Sequence, residues 1–156
     1  MKHSGNLLQV AYFNLLDAGD YPVYDEVPAS PEYPYIQIGD NTFTDYTDKT
    51  NLGQEVTQTL WVVDRFEQAF GSRINVNAIT DFILGAVRQR PNPFDLAGFN
   101  VVTATLDNAN FRKERTDTHT YYRMEIRIRH LIEELNLLVD EDGNVLETEN
   151  GELLYA

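Results

Sequence analysis

A chain of 156 residues with no cysteine and a formal net charge of −13 is long enough to bury roughly 70% of its unfolded surface without a disulfide or metal. Missing cysteines exclude disulfide frameworks, thiolate metal sites and cysteine nucleophiles, and the acidic balance argues against nonspecific nucleic-acid binding, which rests on Lys and Arg neutralising phosphates. No apolar run approaches a membrane span and the first residues lack a signal-peptide core, so a soluble, unexported protein with no membrane partner is expected.

Residues 4–18 read as a first helix, with Ser4 as cap, Gly19 as stop, and Leu7, Val10, Ala11, Leu15 and Ala18 recurring at helical spacing. A short strand at 21–25, a turn through Pro28 and Pro31, and an alternating strand at 34–40 follow. Residues 41–53 are polar, rich in Thr and Asp and without period, and predict an exposed loop of the kind that often carries function. Residues 54–66 predict a strand with Val56, Leu60 and Val62 on one face and Thr57, Thr59, Trp61 and Val63 on the other.

Ser72 opens a second helix over 72–90, with an apolar stripe of Ala78, Ile79, Phe82, Ile83, Ala86 and Val87, stopped by Pro91 and Pro93. A strand at 99–106 leads into a turn or wide hairpin at 107–117. Residues 119–131 alternate cleanly: Tyr122, Met124, Ile126 and Ile128 point one way, and Arg123, Glu125, Arg127 and Arg129 the other. Beyond them, short apolar patches separated by Asp142-Gly143 and Asn150-Gly151 predict a β-hairpin or meander arm. The order predicts an α+β fold: an antiparallel sheet of about five strands, two helices packed on one face, and a C-terminal arm. Residues 1–135 form the domain and 136–156 the acidic appendage.

The chemistry of a catalyst is missing from this pattern. There is no His-Glu-x-x-His, no Gly-rich phosphate loop and no Gly-x-Ser-x-Gly elbow. His119 shares the side of the charged row and His130 the opposite side, and both are expected at the surface or rim. Asp140, Asp142 and Asn144 do not match a calcium loop, because the glycine and terminal Glu are misplaced. No catalytic residue, metal site or cofactor is expected.

Contact surfaces are better represented. Six of the twelve basic residues fall between Arg112 and Arg129, while eight acidic and no basic residues lie from Glu133 onward. Arg112, Arg115, Arg123, Arg127 and Arg129, with Lys113, form one candidate interface; Tyr46 and Lys49 on the polar loop form a second; Asp140, Asp142, Glu147 and Tyr155 on the arm form a third. Tyr33, Tyr35 and Tyr121 add aromatic area suited to interfaces. Opposite charges on different surfaces of one chain favour head-to-tail contact, which closes into a ring when the rotation permits.

The ordered set Val23-Tyr24-Asp25-Glu26-Val27-Pro28, Pro34-Tyr35-Ile36-Gln37-Ile38-Gly39-Asp40, a polar loop, Thr59-Leu60-Trp61-Val62-Val63 and the helix after it resembles the tail completion, or tail terminator, proteins of long-tailed bacteriophages. The resemblance covers about residues 5–131 and does not extend to the arm. It implies a homo-oligomer, a hexameric ring in the virion that caps the tail tube, stops its polymerisation and docks to the head–tail connector. It implies partners in the tube and neck proteins, and DNA passing through the lumen without specific binding. Another neck protein or the tube subunit is the near alternative; a monomeric ligand- or calcium-binding regulatory domain is the distant one.

Overall fold

In a computed structural model, the described residues are 3–47, 52–67, 71–135, 141, 142, 144, 146, 153 and 154. The elements run α1 (Gly5–Asp17), β1 (Val23–Tyr24), β2 (Tyr35–Thr47), β3 (Leu52–Glu67), α2 (Ile74–Val87), β4 (Phe99–Arg115) and β5 (His119–Glu134). One five-stranded sheet has the order β1-β2-β3-β5-β4. It is α+β and mostly antiparallel, as expected, with one exception. β1 pairs in parallel with β2, Val23 standing opposite Ile36.

Period-two burial puts Val56, Leu60, Val62, Ile126, Ile128 and Ile132 in the core under the helices. The helices contribute Leu8, Tyr12 and Leu16 from α1, and Val76, Ile79, Ile83 and Val87 from α2. The α1 stripe is thus shifted by one residue from the expected one, and Val10 is 58% exposed. Tyr12 decides the phase: a buried ring with a polar tip that finds a partner outweighs the smaller Ala11 and Ala18. Ser4 does not cap α1 with its side chain; its hydroxyl donates to Gln54 Oε1 at 2.7 Å instead. Ser72 does serve α2, its Oγ accepting from the Ile74 N–H at 3.2 Å.

Two expected loops are strand. Residues 41–47 continue β2 and pair with β3 down to Thr47 opposite Leu52, so the thirteen-residue loop is a long hairpin whose residues 48–51 lie outside the described set. Residues 107–115 likewise continue β4, and the wide hairpin narrows to a turn where the Thr116 N–H meets His119 O at 2.8 Å. Thr and Asn on a one-sided sheet mimic loop composition, because the polar face is simply facing water. Gly98, at φ 81°, makes the turn into β4, a backbone conformation that favours glycine. Little of the expected arm is described; its Leu154 N–H donates to Leu146 O at 2.9 Å, which sets those two residues side by side.

Candidate assembly surfaces

Ladder partners in an antiparallel sheet share a face, so register assigns each basic residue to a side. Arg112 stands opposite Arg123, Asn110 opposite Glu125, and Asn108 opposite Arg127, all on the face away from the helices. Lys113 stands opposite Tyr122 and Arg115 opposite Thr120, on the helix side. The expected single basic patch is therefore two: an outer row of Arg112, Arg123, Arg127 and Arg129, and a helix-side pair at the end of β4.

Part of the outer row is satisfied within the chain. Arg112 meets Glu125 at 3.9 Å and Arg123 meets Glu114 at 3.4 Å. Among the described residues, Arg127 and Arg129 have no carboxylate partner; across the ladder they meet Thr59 and Thr57. Arg123 is half-buried, its Nε has no hydrogen-bond partner, and its guanidinium lies 5.5 Å from the Tyr121 ring centre.

The expected interface tyrosines are largely packed against one another. Tyr33 and Tyr35 ring centres are 5.3 Å apart, Tyr24 and Tyr35 5.4 Å, and Tyr33 and Tyr121 6.4 Å. Arg65 covers Tyr33 at 4.5 Å. Burial, reinforced by the neighbouring tyrosine hydroxyls, pushes the Tyr33 and Tyr35 pKa values up, which favours the protonated form of those two phenols. Gly39 admits the neighbouring Trp61: a Cβ there would stand 3.2 Å from the Trp61 ring and from Thr59 O. Tyr46 is different, at 60% exposed near the tip of the β2–β3 hairpin, with Phe43 at 50%. Lys49, Asp140, Glu147 and Tyr155 lie outside the described residues, and Asp142 is exposed in a turn.

His130 corrects the expectation of a rim residue. It is fully buried, its Nδ1–H donates to Val56 O at 3.1 Å, and its Nε2 accepts from the Tyr12 hydroxyl at 2.7 Å. A carbonyl only accepts, so Nδ1 carries a proton, and the burial that disfavours the charged ring leaves Nε2 to accept from the Tyr12 hydroxyl. Burial holds its pKa down to about 4, and burial also raises that of Tyr12. His119 is far along β5 at the opposite end, so the two share no site.

A polar seam that the apolar pattern does not reveal joins α1 to the hairpin. Gln58 Nε2 donates to Gly39 O at 2.7 Å, Asn41 Nδ2 donates to Gly5 O at 3.2 Å, and Gln54 takes the Ser4 bonds. Gln54 and Gln58 keep step with Val56 and Leu60, and that period-two register is the signal that they are buried. Among the described residues no three His, Asp or Glu side chains are grouped as metal ligands, and no helix is long and apolar enough to cross a membrane.

The profile of the family "Tail completion protein gp17" matches residues 10–133. No curated protein sequence matches the chain. Among solved structures, a chain of the virion of a native gene transfer agent particle is similar at 21% identity, with a TM-score of 0.69 over 85% of this chain and 99% of that one; at that identity the likeness speaks for the fold. The profile takes in both long hairpins and all five strands but for the last residue of β5, and on it the chain belongs to the tail completion protein gp17 family, structural proteins of the bacteriophage tail.

Proposed function

We propose that the protein is a tail terminator: copies close into a ring, six in number, that caps the tail tube, stops its growth and joins the tail to the head connector. The observation that carries this reading is the family match over residues 10–133. The surfaces support it. A capping ring needs one surface for its neighbours and others for tube and connector. The tip of the β2–β3 hairpin, where Leu52 is exposed, is suited to an axial partner. The outer Arg127 and Arg129 are suited to the acidic 136–156 arm of a neighbour. A net charge of −13 suits a lumen through which DNA passes without adhering, since like charges repel.

The test is an assembly reaction. Purified protein is added to polymerising subunits of the tube that it serves, and tube lengths are measured by electron microscopy. Growth should stop, with an added ring at one end of each tube. Unchanged lengths and bare ends would refute the capping role.

A further inference from the structure

The two lateral edges of the sheet are unlike, and their differences are complementary. One flank comprises α1, β1 and β2. Residues 3–47 hold seven acidic residues, Asp17, Asp20, Asp25, Glu26, Glu32, Asp40 and Asp45, and no Lys or Arg. The other flank is β4, whose far end carries Arg112, Lys113 and Arg115, all exposed. Among the described residues both edges are free of a further strand. β1 covers β2 only at Ile36 and Gln37, leaving β2 from Ile38 onward without a strand neighbour on that side, and β4 is the terminal strand, with Asn92 Nδ2 donating to Val101 O near its start.

The ladder also sets heights along the strands. Ile36 is level, through Val62 and Met124, with Phe111. Val23 of β1 pairs with Ile36, so Asp20, Asp25 and Glu26 bracket the height at which β4 carries Arg112 and Lys113. Farther along, Thr42 is level, through Thr57, with Arg129 and Thr105, and Phe43 is level, through Val56 and His130, with Ala104. Those heights hold exposed Val102 and Leu106 on β4 and exposed Phe43 and Tyr46 on β2. Phe43 and Leu106 both lie on the helix side, since their ladder partners are the core residues Val56 and Ile128. One flank thus presents acid at the height of β1 and, farther along, Phe43 and Tyr46 interleaved with Asp40 and Asp45; the other presents Arg112, Lys113 and Arg115, with Glu114 among them and paired to Arg123, then apolar side chains in the same direction.

β2 and β4 run in opposite directions, because three antiparallel steps separate them. A second copy set beside the first, without inversion, brings its β1–β2 edge antiparallel to β4. Bulges interrupt β2 between Ile38 and Asn41 and β4 at two places, which prevents a continuous ladder and leaves side chains to make most of the contact.

We propose that the acidic α1–β1–β2 flank of one copy docks on the basic and apolar β4 edge of the next. The partner is a second copy of this chain, and the contact is heterologous, the kind that repeats around a ring. The proposal rests on the ring reading above and gives that ring its seam. Charge pairing across it selects the neighbour and its height, and the apolar stretch supplies the area.

The test uses three samples of the full chain. The first carries Asp25→Lys and Glu26→Lys, the second carries Lys113→Glu and Arg115→Glu, and the third is a 1:1 mixture of the two; circular dichroism checks the fold of each. Each variant alone should lose the ring, with apparent dissociation constants raised about tenfold or more. The mixture should recover it, with the two chains alternating, because each seam again joins unlike charges. Rings that persist in both single variants, or a mixture that recovers nothing, would overturn this seam while leaving the ring reading intact. Absence of any ring from the unmodified protein would instead overturn the ring reading, and the seam with it. Should a variant misfold, the unmodified ring decides by salt: its dissociation should rise as salt screens the seam, and a salt-independent ring would overturn the proposal.

Discussion

His130 and Tyr12 form the only buried histidine–tyrosine pair among the described residues, and they tie α1 to the centre of the sheet. Phe94 completes the packing, with ring centres 4.9 Å from Tyr12 and 5.4 Å from His130. Tyr12→Phe would leave Nε2 buried and unpaired, at a cost of about 1–3 kcal/mol, measurable by urea unfolding at neutral pH. The same pair sets a pH dependence. The folded pKa of His130, about 4, lies below the ordinary 6.5, so folding favours the neutral ring. Its contribution is fully present above pH 6.5 and is lost as pH falls through the window toward 4, by about 3 kcal/mol in all. His130→Gln cannot titrate there; the stability gap between it and the native chain should shrink as pH falls from 6.5 to 4. A gap that stays constant would contradict the assignment. Gly98→Ala should cost about 1–2 kcal/mol, because its φ of 81° strains any residue with a Cβ.

At the scale of elements, the buried stripe of α1 separates what the sequence shows from what it conceals. Leu8, Tyr12 and Leu16 are buried, while Leu7 and Val10 face out. Leu8→Ala should therefore cost about 2–5 kcal/mol, and Val10→Ser should stay within about 0.5 kcal/mol; thermal unfolding of both fixes the helix phase. With apolar residues on several sides of α1, periodicity alone does not choose the face, and the hydroxyl of Tyr12 does so only through a histidine 118 positions away. β5 was legible over 119–131, because a charged row alternates with a core row, but the burial of His130 was not. The extensions of β2 and β4 were not, since polar strand and polar loop share a composition when one face meets water. The basic cluster was legible as a cluster but not as two faces, because register, not proximity in sequence, divides Arg112 from Lys113. The helix count, the element order and the mostly antiparallel sheet all followed from the pattern; the parallel β1 did not, since two residues leave no periodic signal.

At the scale of the molecule, charge is sorted by position: acid gathers in residues 3–47 and after Glu133, and base gathers between Arg112 and Arg129. A monomer gains nothing in stability from such sorting, whereas a chain that meets copies of itself gains a preferred order. Deletion of 136–156 should weaken the ring without unfolding the sheet, whose described strands end at Glu134; sedimentation of the truncated chain checks this, and an unchanged ring would remove the arm from the interface. The most direct measurement of the central claim is native mass spectrometry of the full chain across a range of concentrations. A terminator predicts one closed assembly of six 17.9 kDa chains that grows no further as concentration rises. A continuous ladder of larger assemblies, as a tube subunit would give, or a monomer at every concentration, would contradict it.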